Sequence, residues 1–297
     1  MTKTVGASID TGTFTKKKSQ WVEVWGRFKK NKGAMIGLFV LVILIGIALT
    51  EGLWIPEEKV STIVVADRLQ HPSRAHWFGT DEMGRDIFWR TLYATRFSLT
   101  IGFVAVVVSA VIGIPIGAVA GYVGGKVESI VMRLTDIFSA IPTILMAIAI
   151  VSLLGRTTFN LMLAVGISSV PLFIRVTRAS VLTVKNEEYI EAVKALGKSD
   201  LYIVFRHVLP NCLSPIIVQV TLRIASAIIS SSSLSFLGLG IKPPTPEWGA
   251  LLTAGKEYIM GYSYMCLYPG LAIMITVLAF NLVGDGLRDS LDPKLKH

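Results

Sequence analysis

Long apolar runs without a charge constrain this chain more than any other feature. Residues 33–50, 97–125, 137–155, 157–174 and 258–284 contain no Asp, Glu, Lys or Arg. A sixth run, roughly 208–241, is interrupted only by Arg223. A helix needs about 20 mainly apolar residues to cross the hydrocarbon core of a bilayer. Lipid offers the backbone no hydrogen-bond partners, so runs of this length read as helices that satisfy their own N–H and C=O groups. The expected fold is therefore an all-α membrane protein with six transmembrane helices. The sixth run exceeds one straight span, so part of it is expected to tilt or to lie at the membrane edge. Composition agrees: 16% of the residues are charged, against roughly 25% in soluble domains.

The charges that remain are unevenly placed. A net charge of +9 would suggest nucleic acid in a soluble protein. Here the excess lies beside the spans, so the bilayer is the expected partner and nucleic acid is not. Residues 1–33 hold eight basic residues (Lys3, Lys16, Lys17, Lys18, Arg27, Lys29, Lys30 and Lys32) against Asp10 and Glu23. That bias places the N-terminus in the cytoplasm. The stretch 51–95 holds five basic and seven acidic residues, as an outer loop should. Six spans then return the C-terminus to the cytoplasm. The organisation reads as a basic tail (1–32), surface-seeking near Trp21, Trp25 and Phe28, and an anchor span (33–50). An external loop (51–95), a five-span core (96–290) and a C-terminal tail (291–297) follow. The first apolar run is too long for a signal-peptide core and ends in Leu49-Thr50-Glu51, so it reads as an uncleaved anchor. Cys212 and Cys266 lack metal-ligand spacing and read as small membrane-helix residues.

Within the core, span counting puts 178–210 in the cytoplasm, and this loop is patterned. Asn186 can cap a helix start, with Glu187 and Glu188 suited to its first turn. Tyr189, Ile190, Val193 and Leu196 form an apolar stripe at helical spacing. Ala192 and Ala195 keep the surface shallow, and Gly197 is a suitable helix stop. Ser199 can cap a second short helix running to Leu209-Pro210. The stripe can pack on the protein's own span ends or in a groove on another protein, and the pattern leaves both open.

Glu191-Ala192-Val193, then Gly197, then His207-Val208-Leu209-Pro210 resembles the EAA loop of type I ABC importer permeases, with Val193 and His207 departing from the usual residues. Phe78-Gly-Thr-Asp-Glu-Met-Gly-Arg-Asp86 resembles the outer-loop signature of the peptide/nickel permease family. Leu234-Ser-Phe-Leu-Gly-Leu-Gly240, Pro243-Pro-Thr-Pro-Glu-Trp-Gly249 and Gly284-Asp-Gly-Leu-Arg-Asp289 resemble its C-type subunit. The resemblance runs from the first span to the C-terminus. It implies a type I permease core behind an N-terminal anchor helix, in the plasma (inner) membrane. It also implies a second, B-type permease, two ATP-binding subunits that carry ATP and Mg, and an extracytoplasmic solute-binding protein. In that family the loop couples to the ATPase, which makes Glu191, Ala192, Gly197, Leu209 and Pro210 the expected coupling residues. Dipeptides or oligopeptides are the implied cargo, with nickel complexes and oligosaccharides open. The chain itself is expected to be non-catalytic and to bind no cofactor.

Other features weigh less. Gly121-Tyr-Val-Gly124-Gly125-Lys126 fails the phosphate-loop pattern at Ala120 and Val127, so it reads as a turn. His71, His76, Asp81, Glu82 and Asp86 could suggest a metal, but their spacing is irregular and turns use Asp and Gly for their own reasons. Six serines crowd the fifth span; Ser230 and Ser231 are candidates for the pathway or an interface, or serve close helix packing. Arg223 either faces the pathway or interface, where it can meet a carboxylate, or snorkels to the surface. Asp136 is expected at the inner edge beside Arg133. An intramembrane enzyme would need paired catalytic groups at depth, and a proton- or sodium-coupled carrier a buried acid relay. No such grouping stands out.

Overall fold

The computed structural model describes residues 20–241 and 244–292. The tail readings for 1–19 and 293–297, and Lys242 and Pro243 of the last outer loop, fall outside these. Among the described residues the regular structure is helical, apart from one bridge between Thr80 and Asp86. Helix α1 (Gln20–Phe28) is short and amphipathic. Asn31 then caps α2 (Lys32–Trp54), its side-chain oxygen accepting the Ala34 N–H at 3.1 Å. The outer loop carries α3 (Glu57–Ser61). Asp86 starts α4 (Ile87–Val123) by accepting the N–H groups of Phe88 and Trp89. At 1.5 Å per residue α4 is about 55 Å long, so it projects well beyond the ~30 Å hydrocarbon core.

After a turn at Gly124, with φ +71°, come α5 (Gly125–Ala140) and α6 (Thr143–Leu154). Helix α7 (Thr158–Val184) leads into the patterned loop, which holds α8 (Glu188–Ala195), α9 (Asp200–Ile203) and α10 (Leu209–Asn211). Helix α11 (Leu213–Phe236), α12 (Trp248–Gly255) and α13 (Tyr264–Leu291) complete the chain. Among the described residues five helices are long and apolar enough to cross a membrane, namely α2, α4, α7, α11 and α13. The α5–α6 pair makes a sixth if counted as one span.

That pair holds the apolar run at 137–155, and the span is bent. The apolar run is split by an 85° bend, with Ile141 extended at φ −87° and ψ 125°. Pro142 is the cause, since it lacks an N–H and disfavours helical backbone in the residue before it. The boundaries also move. Helix α2 runs one turn past residue 50, and α7 continues to Val184, so the loop proper begins at Lys185. The long run at 208–241 holds one span, α11, with the short α10 before it and a turn after it.

The core is held by close helix approach. In α4, Gly113, Gly117 and Gly121 recur every four residues along the line facing α7. A Cβ on Gly113 would lie 2.6 Å from the Phe173 Cβ, and one on Gly121 would lie 3.0 Å from the Val181 Cβ. Without a hydrophobic force between helices in lipid, such small-residue seams let dispersion contacts hold the pair. At the outer end, wholly buried Trp248 donates its ring N–H to the Thr91 carbonyl at 3.0 Å. Buried Glu247 caps α12 and accepts from the Ser98 hydroxyl at 3.3 Å. Both contacts pin the last outer loop to α4. At the other end, Arg27 donates to the Asp292 carbonyl at 3.3 Å and Asn31 to Asp289 at 3.5 Å. The two ends of the described chain therefore lie on one side.

Candidate functional site

The loop after α7 is two short helices folded against the span ends. Glu187, one residue after the expected Asn186, is the N-cap of α8, and its side chain makes no cap bond. Helix α8 ends at Ala195. Gly197 follows with φ +73°, its N–H donating to the Lys194 carbonyl at 3.0 Å. That backbone conformation suits glycine and turns the chain towards α9. Ser199 is the N-cap of α9, as expected, although its side chain makes no bond there. The helix then widens into a π turn over Val204–Val208. Pro210 has no N–H for the Arg206 carbonyl, and the wider turn before it lets the chain run through into α10 and α11.

The two faces of this hairpin differ. Its inner face buries Ile190, Ile203, Val204 and Val208 against Ala118, Val181, Cys212 and Ile216. Lys185 adds a bond from its ammonium to the Gly121 carbonyl at 3.0 Å. Its outer face leaves Tyr189, Leu196, Leu201, Tyr202 and Phe205 exposed, with Leu196 at 76% and Leu201 at 60%. The stripe thus splits between the two openings left by its pattern: Ile190 and Val193 turn inward, Tyr189 and Leu196 outward. Desolvation, then the nearby Glu187, raises the Tyr189 pKa.

Among the expected coupling residues, Glu191, Ala192 and Gly197 are exposed on α8 and its end. A Cβ added at Gly197 would meet nothing within 4 Å. Pro210 is exposed where the loop returns to the span, whereas Leu209 is half-buried on the inner cluster. The first three lie on α8 or just past its end; Leu209 and Pro210 lie in α10, where the loop runs into α11. Leu201, Tyr202 and Phe205 were missed as candidates, although three large apolar residues within five positions of a short polar loop were a usable signal.

In the spans, Ser231 is wholly buried and its hydroxyl bonds the Ile228 carbonyl at 3.0 Å. Ser230 is half-buried. Close packing is visible next to them, since a Cβ on Gly249 would lie 2.6 Å from the Ser232 Cα. Arg223 is half-buried at a cavity beside the α5–α6 bend, its Nε shielded and without a hydrogen-bond partner. Asp136 pairs with Arg175 at 2.8 Å rather than with the expected Arg133. Glu128 pairs with Arg178. Both pairs tie α5 to α7, which carries the loop.

The outer run 78–86 is a braced turn. The buried Asp81 carboxylate accepts the N–H groups of Met83 and Arg85, and takes the Arg85 Nε at 2.7 Å and the Arg90 Nε at 3.6 Å. His76 lies 2.9 Å from Asp86, whose other oxygen caps α4. A Cβ on Gly84 would overlap the Val64 carbonyl. Phe78 stacks on Tyr268 of α13 at 3.8 Å between centroids. These groups are committed to holding the turn. Glu82, beside it, has its pKa raised by burial first and the Asp81 charge second.

The bent helix pair and the folded loop belong to a chain that family models place among membrane permeases. The family described as "Binding-protein-dependent transport system inner membrane component" matches residues 113–297, and "N-terminal TM domain of oligopeptide transport permease C" matches residues 19–72. The chain belongs to this family of ABC importer permeases. It is 45% identical to the dipeptide transport system permease protein DppC of Alkalihalophilus pseudofirmus, over 94% of this chain and 91% of that protein. It is 46% identical to the glutathione transport system permease protein GsiD of Pectobacterium atrosepticum, over 94% and 93%. Among solved structures, a chain of the inward-facing MetNI methionine ABC transporter superposes with a TM-score of 0.58 at 18% identity, covering 69% of this chain and 98% of that one. That likeness is one of fold. The chain is a multi-pass permease subunit, and the peptide-family resemblance read from its motifs holds.

Proposed function

We propose that this permease is one half of a translocation pathway for dipeptides or other short peptides, driven by ATP hydrolysed on partner subunits. Its loop 178–210 docks on an ATP-binding subunit. A B-type permease completes the pathway, and an extracytoplasmic binding protein delivers cargo. The chain sits in the inner (plasma) membrane with both termini cytoplasmic. ATP and Mg belong to the ATPase subunits, and this chain supplies shape and coupling.

One observation carries the reading: the loop is rigidly seated on its inner face and leaves large apolar side chains outward on the other. An exposed apolar patch on an ordered element suits a docking site. Seating matters as much as exposure. Closure of the ATPase pair can move the spans only through an element that does not yield; α8 is seated by Ile190 below it, and Lys185 ties the end of α7, where the loop begins, to α4. The Glu128–Arg178 and Asp136–Arg175 pairs then carry movement of α7 to α5 and the bend. The names of the relatives, dipeptide and glutathione permeases, support a peptide cargo.

The test is uptake and ATP hydrolysis by the assembled transporter in proteoliposomes. Gly197→Asp and Glu191→Lys should insert normally but separate hydrolysis from uptake. Normal transport by both variants would remove the docking assignment.

A further inference from the structure

The bend between α5 and α6 opens a cavity of about 250 Å3 whose polar edge includes Ser139, Thr143, Ser168, Arg175 and Arg223, with Pro142 at its corner. The two arginines differ. Arg175 is neutralised by Asp136 at 2.8 Å. Arg223 has no such partner among the described residues: its Nε is shielded from solvent and unbonded. Its depth follows from helix geometry. Thirteen residues separate it from Phe236, the outer end of α11, or about 20 Å. Eleven separate Thr143 from Leu154, the outer end of α6, or about 17 Å. By these lengths the guanidinium and the bend sit at about one level, in the inner half of a hydrocarbon core about 30 Å thick.

Two further features bear on what this charge meets. No side chain caps the start of α6, so its first N–H groups and the positive end of its dipole lie at the cavity corner. A second cavity of about 300 Å3 adjoins the first, sharing Phe138 and Pro171 and walled by apolar residues of α4, α5 and α7, such as Ile116, Leu134 and Val170. An anion-seeking corner beside an apolar pocket matches the end of a peptide, where a carboxylate and a side chain branch from the same carbon. A buried guanidinium is matched in charge and in fork geometry by a carboxylate.

We propose that Arg223 is a cargo-binding residue that receives the C-terminal carboxylate of a peptide at the α5–α6 bend, with the peptide's last side chain in the adjoining apolar pocket. The inference rests on the peptide reading above and adds a residue and a chemical group to it.

The test uses the transporter assembled with its partner subunits and binding protein in proteoliposomes. Uptake of alanyl-leucine and of its C-terminal amide is measured for wild type, Arg223→Gln and Arg223→Lys, and assembly is read by co-purification. Each variant is compared with wild type for the same cargo, which cancels any preference of the binding protein. Loss of a charge-assisted contact predicts that Arg223→Gln lowers uptake of the free acid about tenfold or more. Amide uptake should be unchanged, assembly intact, and Arg223→Lys should recover most of the loss. Equal uptake of the free acid by Arg223→Gln and wild type overturns the inference. So does an equal loss for acid and amide, or failed assembly, either of which makes Arg223 an interface residue. A wild type that imports no peptide removes the cargo reading and the inference with it; wild-type import with an unaffected Arg223→Gln removes the inference alone.

Discussion

Truncating Leu196 and truncating Ile190 should have opposite signatures, although both lie on or beside the same short helix. Leu196 is 76% exposed and Ile190 is 2% exposed. Fully burying a leucine side chain is worth about 1.5–3 kcal/mol. With a quarter of that realised in the free subunit, Leu196→Ala should cost roughly 0.5 kcal/mol of stability. If docking buries the rest, the same change should cost about 1–2 kcal/mol of affinity for the ATPase, or five- to thirtyfold. Ile190→Ala should instead cost about 2–5 kcal/mol of stability, because it opens a hole under the helix. The assay pairs thermal unfolding of the purified permease with titration of the ATP-binding subunit onto reconstituted permease. A Leu196→Ala variant that unfolds like Ile190→Ala, or that binds the ATPase like wild type, would refute the assignment of the outer face.

Three further outcomes follow from particular contacts. Gly117→Ala places a Cβ 2.5 Å from the Ile174 carbonyl, so overpacking of the α4–α7 seam should cost about 1–3 kcal/mol, read as a lowered unfolding temperature. Asp81→Asn leaves Arg90 buried without its anion and Arg85 with only Glu82 at 3.5 Å, which should cost about 3–5 kcal/mol and open the outer turn to protease. Glu82→Gln should stabilise the protein at neutral pH. The Glu82 pKa is raised in the fold, so the folded state holds its proton more tightly and stability falls as pH rises from about 4.5. The advantage of the glutamine should therefore vanish as pH drops below that value; an advantage that persists in acid contradicts the burial argument.

The spans were legible because apolar runs report the bilayer directly, and the folded loop because its stripe keeps helical period. What the sequence concealed has identifiable causes. Hydropathy averages over Pro142, so the run at 137–155 looked continuous although one residue turns it through 85°. Periodicity placed Tyr189, Ile190, Val193 and Leu196 on one stripe but not which edge faced inward, since that depends on how α8 folds back on Val181 of the preceding helix and Val208 of the π turn. Asp136 was matched to Arg133 by helical spacing, yet its partner Arg175 lies on another helix 39 residues on. The outer turn was readable as a turn from its glycines and aspartates. The arginines that enclose Asp81 were not, because Arg90 reaches back from the first turn of α4.

The central claim is that the outer face of loop 178–210 seats on an ATPase, and site-directed cross-linking tests it most directly. Cys212 makes little background, because it is buried. Cys266 is replaced by serine. A cysteine at Leu196 or Glu191, carrying a short photo-cross-linker in membranes of the complete transporter, should trap the ATP-binding subunit, while one at the buried Ile190 should not. Capture of the ATPase by neither outer position, or labelling of Leu196→Cys from the external side, would contradict the account.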